Sequence, residues 1–214
     1  MRHWVQDILF SRRGLIVCAA GLVVAKAARA SLTPTPDQTA GPYYPHIRPQ
    51  DIDMDLTRIS GTDSQAAGQV IEVSGRVFSV KGHALSGAVV EIWQADTNGR
   101  YIDIKDKSVS APRDQRFQGY GAVRAGADGA YRFRTIRPAS YDTGFSKRTP
   151  HIHFRVKHQK LGELVTQMYF PGEAMNKQDA VYLALSGNLA RDAATARLRP
   201  GNGPPRYTFD LVLD

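Results

Sequence analysis

Thiol chemistry is nearly missing from this chain of 214 residues, whose one cysteine is Cys18. From Ser31 onward there is none, which excludes disulfides and thiolate metal ligands together. Long apolar runs are also missing: the stretch from Gly14 to Ala25 is about 12 residues, against the roughly 20 that a membrane-spanning helix needs. Basic runs are absent from the body of the chain. The net charge is +8, but residues 1–30 hold five of the 28 basic side chains and one of the 20 acidic ones, so the rest keeps a surplus of four. A surplus so small and scattered argues against a surface that tracks nucleic-acid phosphates. No heptad, internal repeat or second compositional block is present. The mix of 42% hydrophobic and 22% charged residues suits one globular domain.

The first thirty residues do carry a targeting pattern. A basic start is followed by the apolar run and then by Ala28-Arg29-Ala30, a small-x-small cleavage site. Ser11-Arg12-Arg13 with Leu15 resembles a twin-arginine export signal. The expectation is a signal over residues 1–30, cleaved after Ala30, and a mature chain outside the cytoplasm, periplasmic or extracellular, with no membrane attachment. Twin-arginine export carries folded proteins and so suits one that acquires a metal first.

Residues 31–68 are rich in Pro, Thr, Gln, Asp and Gly without a sustained period and read as an extended arm over a core. From residue 69 the period shortens to two. Strands are predicted at Val70–Val80, Ala88–Gln94, Ala130–Ile136, His151–Lys157, Leu164–Phe170 and Tyr207–Leu213, each rich in β-branched or aromatic residues. Turns at Lys81-Gly82, Asn98-Gly99 and Asp128-Gly129 separate them. The spacing predicts an all-β, antiparallel sandwich over 69–214. The exception is Asn176–Leu198, where Val181, Leu183, Leu185 and Leu189 indicate one or two short surface helices.

His151-Ile152-His153 is the densest group of potential ligands, because residues i and i+2 of a strand share a face. A cupin-type site would want a glutamate about four residues further on, yet positions 157 and 158 are Lys and His. Only His46, His83 and His158 remain as further histidines after Ser31, so oxygen donors are the better partners. Tyr101, after the Asn98-Gly99-Arg100 turn, and Tyr141, ten residues before His151, are candidates. Each also reads as a half-buried tyrosine at a strand end. Two imidazoles with two phenolates would suit ferric iron, since hard anionic oxygens favour the higher oxidation state.

Several spaced segments carry a resemblance. They are Thr35-Pro36-Asp37-Gln38-Thr39-Ala40-Gly41-Pro42-Tyr43-Tyr44, the stretch Ala88–Asp96 leading to Gly99-Arg100-Tyr101, Asp128–Pro138, Arg148-Thr149-Pro150-His151-Ile152-His153-Phe154, Thr166–Phe170 and Tyr207–Asp210. In this order they resemble the intradiol ring-cleavage dioxygenases, the subunits of protocatechuate 3,4-dioxygenase above all. The resemblance implies a mononuclear non-haem Fe(III) site, a small aromatic diol substrate and O2. The ring would open between the two hydroxyl-bearing carbons to a cis,cis-muconate type diacid. It implies Tyr101 as the tyrosinate that stays on the metal, Tyr141 as the axial tyrosinate that leaves when substrate chelates, and His151 and His153 as imidazole ligands. Arg148 matches an arginine beside the bound ring, Gln167 a pocket glutamine, and Gly41-Pro42-Tyr43 an arm segment lining the substrate pocket.

Two departures bear on substrate and assembly. The protocatechuate enzymes carry a Trp shortly after the axial tyrosine, where this chain has Tyr141-Asp142-Thr143-Gly144-Phe145. One chain here also carries both the arm and the full ligand set, so no second chain type is required and a homo-oligomer is open. The rival reading is a non-catalytic β-sandwich module, which the paired Gly-turn strands over 73–136 also suit. Such a module has no reason to set two tyrosines and a His-x-His at ligand spacing. A zinc site on the same fold is a further rival, separable by colour.

Overall fold

The computed structural model of the chain describes residues 31–49, 51–103, 105–106, 110–144 and 146–214. The expected export signal lies outside them. Two sheets pack face to face. In the first, β1 (Val70–Ser79) lies between β4 (Ala130–Ile136), which is antiparallel to it, and β10 (Arg206–Thr208) with β11 (Leu211–Leu213), both parallel to it. β9 (Arg197–Arg199) adds beyond β10. The second sheet is antiparallel throughout, in the order β3 (Tyr120–Arg124), β2 (Val89–Trp93), β7 (His151–His158), β8 (Gly162–Tyr169). A two-stranded hairpin, β5 (Tyr141–Asp142) with β6 (Lys147–Arg148), stands apart.

The period of two explains why β-branched and aromatic segments became these strands. Alternate residues Ile71, Val73, Val77 and Phe133 of the first sheet meet Val90, Ile92, Ile152, Phe154, Val156 and Met168 of the second in one apolar core. The intervening residues of β2, β7 and β8 point to the opposite face, and they too are largely buried. The arm covers that face. It runs from the edge of the first sheet, where Leu32 N–H donates to Val80 O (2.8 Å) and Thr35 N–H to Val212 O (3.0 Å), to β8, where Gln38 N–H donates to Val165 O (2.8 Å). Further along, Leu56 enters the core with no exposed surface.

One expectation needs correction, and two regions hold more than the sequence pattern predicts. The segment Tyr207–Leu213 is two strands, not one, and both are parallel to β1, so the first sheet is mixed. Their register with β1 is continuous, Glu72 opposite Arg206 and Val77 opposite Leu211. The ladder breaks between them because Phe209 O turns to the Tyr131 hydroxyl and Arg76 N–H is taken by the Asp210 side chain (3.0 Å). The region Asn176–Leu198 holds a 3₁₀ turn (Ala174–Gln178), α1 (Ala180–Leu183) and α2 (Gly187–Ala194), and its end, Leu198, belongs to β9. Strand β3 had no counterpart among the predicted strands, since glycine at position 121 weakens its signal. Among the described residues no helix is long and apolar enough to cross a membrane.

Candidate metal centre

The arm-covered face of the second sheet holds the histidine pair. His153 sits on β7 between Trp93 of β2 and Gln167 of β8, and His151 is opposite Tyr169. Trp93 stacks on the His153 ring at 4.8 Å and 9°, which fixes the plane of the imidazole. His151 Nδ1 lies 2.6 Å from Thr149 O; only a protonated Nδ1 can donate there, so the Nε2 lone pair faces inward.

Each tyrosine arrives from a different loop. Asp96 builds the Tyr101 turn: its Oδ1 accepts the N–H of Asn98 (2.7 Å) and Arg100 (3.0 Å), and its Oδ2 accepts that of Asp114 (2.7 Å). Tyr101 N–H donates to buried Asp106 Oδ2 (2.6 Å). Gly99 lets the second loop approach. It has φ of +79°, and a Cβ there would stand 3.1 Å from Tyr141 Cβ and 3.2 Å from Ser140 O. Tyr141 is held on the β5–β6 hairpin directly opposite Arg148, so the two side chains share a face.

The result is a tight cluster of donor atoms. Tyr101 Oη is 3.2 Å from His151 Nε2 and 3.4 Å from Tyr141 Oη, and the two Nε2 atoms are 3.1 Å apart. Ligands bound at about 2 Å to one first-row metal ion stand roughly 2.9 to 3.5 Å from one another. The set therefore fits a single metal ion, and its mix of phenol oxygen and imidazole nitrogen fits a hard, highly charged one. Among the described residues no group of three or more His, Cys, Asp or Glu offers a competing site.

Without a metal the cluster is neutral. Burial, aided by the Tyr141 oxygen, holds the Tyr101 phenol well above its ordinary pKa. Burial raises Tyr141 as well, against the pull of the Arg148 charge. Burial first and the Arg148 charge second lower His151 to about 3. His153 is held well below its ordinary value by burial, then by His151 and Arg148. A cation entering here must displace both phenol protons, so binding is coupled to proton release.

The arm closes the other side. Gly41 passes beside the His153 ring with φ of +67°, a backbone conformation that favours glycine, and a Cβ there would meet His153 Cε1 at an ordinary 3.5 Å. The Tyr43 ring lies 5.1 Å from that of Tyr101 and edge-on to Tyr141 at 6.3 Å, while Pro42 is exposed at the turn. Tyr44 packs edge-on against Trp93 (5.0 Å) and donates to buried Glu91 Oε2 (2.9 Å). Gln167 spans arm and site. Its Nε2 donates to Thr39 O (2.9 Å) and its Oε1 accepts from Arg148 Nη2 (2.6 Å). Arg148 is only 6% exposed, so it is not a surface ion pair. Its Nε donates to Asp179 Oδ2 (2.9 Å).

All the tyrosines, histidines and the arginine singled out from sequence thus converge, and Gln167 and the Gly41-Pro42-Tyr43 segment border them. Sequence reasoning missed Asp179, Asp106, and the parts played by Trp93 and Asp96. Asp179 carried a signal as an acidic residue before a short helical run, but nothing tied it to Arg148.

Comparison with known proteins agrees with this architecture. The family described as Dioxygenase matches residues 39–214. The chain is 34% identical to the protocatechuate 3,4-dioxygenase beta chain of Burkholderia cepacia, over 85% of this chain and 81% of that one. It is 32% identical to 6-chlorohydroxyquinol 1,2-dioxygenase of Cupriavidus pinatubonensis over 70% of this chain, but spans 55% of that relative's length. Among solved structures, the dioxygenase domain of a dioxygenase carbohydrate-binding protein fusion from Streptomyces sp. SirexAA-E superposes with a TM-score of 0.63 at 34% identity, covering 85% of this chain and 99% of that one. The chain belongs to the intradiol ring-cleavage dioxygenases. It is an enzyme of that class, and the reading as a non-catalytic module falls.

Proposed function

We propose that this protein is an Fe(III)-dependent dioxygenase that opens a catechol-type diol, protocatechuate-like or catechol itself, between its two hydroxyl-bearing carbons. The product is a cis,cis-muconate type diacid, in which both atoms of O2 are retained. The observation that carries this reading is the meeting of Tyr101, Tyr141, His151 and His153, each joined to the set through a donor separation of 3.4 Å or less. Ferric iron bound by these residues would supply a Lewis acid that favours the diol as its chelating dianion, and the loss of both diol protons would make the ring electron-rich enough for O2.

The chain's own groups then divide the work. Tyr101, fully buried and anchored through Asp106, stays in place. Tyr141 sits on a two-residue strand opposite Arg148, and as a phenolate its Oη would take one of the two protons of the arriving diol, the other passing to hydroxide from solvent. His151 keeps its Nε2 lone pair available through the Thr149 bond, and Trp93 holds His153 in plane. Arg148 supplies a fixed cation where negative charge develops on the ring. Gly41, Pro42 and Tyr43 border the substrate from the arm, and Gln167 sets the arm against Arg148. Burial of the cluster excludes water from the reacting centre.

The same reading places the mature enzyme outside the cytoplasm, with diols released from plant or soil polymers as substrates. Its support is the twin-arginine pattern and the similarity to a dioxygenase fused to a carbohydrate-binding protein in a cellulolytic bacterium.

The test is a visible spectrum of the iron-loaded protein before and after anaerobic addition of catechol and of protocatechuate. A broad tyrosinate-to-iron band that moves to longer wavelength with one diol is the expected result, and the preferred diol is the one that moves it. Iron-loaded protein that stays colourless would overturn the four-ligand assignment, and a colourless zinc protein would favour the rival metal.

A further inference from the structure

One buried acid takes no part in the steps above. Asp179 has no exposed surface, lies 31 residues from Arg148 in sequence, and all its acceptor positions are filled. Oδ2 accepts from Arg148 Nε (2.9 Å) and Thr149 N–H (2.9 Å), and Oδ1 accepts from the N–H of Val181 and of Tyr182 (both 2.9 Å). Three of these four donors are backbone, so the carboxylate cannot turn without breaking the start of α1 or the strand leading to His151. Resting on the proposed reaction, we infer that Asp179 is a positioning residue for ring opening: with Gln167 it clamps Arg148 and sets where its positive charge falls over the substrate.

The clamp follows from the shape of the guanidinium. Asp179 holds Nε and Gln167 Oε1 holds Nη2, so one edge of the fork is filled. Neither bond uses Nη1, which Asp179 and Gln167 therefore leave to address a ligand. The Tyr169 hydroxyl, 3.3 Å from Gln167 Oε1, gives its one proton to Gln38 Oε1 of the arm (2.9 Å), and Gln167 Nε2 donates to Thr39 O of the same arm (2.9 Å). Arg148 is therefore braced from α1 on one side and from the seated arm on the other. A long, flexible side chain buried without such bracing would be both unpaired and mobile. Placement matters because displacing a reacting or stabilising group by about 1 Å can cost on the order of 100-fold in rate.

A merely structural role has a different signature. Asp179 also holds the Thr149 peptide, whose carbonyl orients His151, and it caps α1. Loss of those functions would loosen the metal ligand or the fold. Asp179→Ser removes the capping role from the comparison, because serine caps a helix about as well as aspartate but cannot reach or balance the guanidinium, and the Thr149 role is read separately from the iron content and the visible band. Asp179→Asn, which keeps the size and removes the charge, is the second variant.

For both variants the expected result is unchanged iron content and visible band, kcat lower by about 10- to 100-fold, and KM changed far less. In an Arg148→Ala background the same substitutions should change kcat by less than about twofold, since the group they position is gone. In metal-free protein, the Arg148 Nε–H proton should exchange with solvent faster in Asp179→Ser than in wild type. The inference is overturned if kcat stays within about twofold of wild type, if the loss is the same with and without Arg148, or if it tracks lost iron or a shifted band. A colourless, inactive wild type sinks the reading of the metal centre and this role with it. A coloured, active wild type whose Asp179 variants are equally active sinks the role alone.

Discussion

Val90, Ile92, Ile152, Phe154, Val156 and Met168 project from one face of the β3-β2-β7-β8 sheet, and Glu91, Trp93, His151, His153, Gln167 and Tyr169 from the other. The same strands build both faces and both are buried. On the first, any side chain of suitable shape lowers the free energy by leaving water, so packing volume is the main demand. On the second, burial is favourable only where each polar atom finds a partner. Glu91 finds Tyr44 and Arg48, Gln167 finds Arg148 and Thr39, and His151 finds Thr149. His153 Nδ1 and Trp93 Nε1 find none among the described residues. The core face gives stability from composition, and the site face gives reactivity from placement.

The sharpest way to separate the two faces is to damage each. His151→Ala should abolish the tyrosinate band and activity, exceeding the roughly 10- to 100-fold loss that removing an outer partner of a metal site brings, with the fold retained by circular dichroism. Phe154→Ala, on the core face of the same strand, should lower unfolding free energy by about 3–5 kcal/mol, read from denaturant titration, while folded protein keeps the band. Retained iron in the first variant, or undiminished stability in the second, would erase the distinction.

Acid should act on the site face first. Both histidines are neutral when folded, His151 with its pKa lowered to about 3. An unfolded histidine takes a proton near pH 6.5, so the unfolded state binds more protons below that value. Stability of the metal-free protein is therefore full above about pH 6.5 and falls as the pH drops toward the folded value. The loss between pH 7.5 and pH 5 should be on the order of 2 kcal/mol for His151, with His153 acting in the same direction, measured by thermal or urea unfolding. His153→Phe, which has no such proton to take up, should flatten the dependence. The smallest effect is expected at Gly99→Ala, where positive φ and the 3.1 Å approach to Tyr141 Cβ should cost about 1 kcal/mol and move the band slightly. An unmoved band would show that Tyr141 does not depend on that close passage.

Much of this was legible in residue order. The period of two placed Ala130–Ile136 as it stands and the other long strands to within about two residues. It also put His151 and His153 on one face, because that relation is local. Strand β3 escaped because Gly121 interrupts its apolar pattern, and the break at Phe209–Asp210 escaped because its cause, the Tyr131 hydroxyl, is 78 residues away. Separation in sequence, 31 residues from Arg148, also hid Asp179. An acid before a short helix reads as a cap whether or not an arginine is buried beside it.

By itself, then, the sequence determined the strand-forming segments, the arm, the candidate donor types and the absence of any thiol after Cys18, since each depends on residue type and on neighbours a few positions away. Which loops bring Tyr101 and Tyr141 within 3.4 Å of each other, that the arm seals the face opposite the core, and that Asp179 and Gln167 brace Arg148 were decided only in the tertiary structure. Those contacts join residues 19 to 177 positions apart, and hydrogen bonds of 2.5 to 3.5 Å depend on how whole sheets and loops pack, which no local pattern encodes.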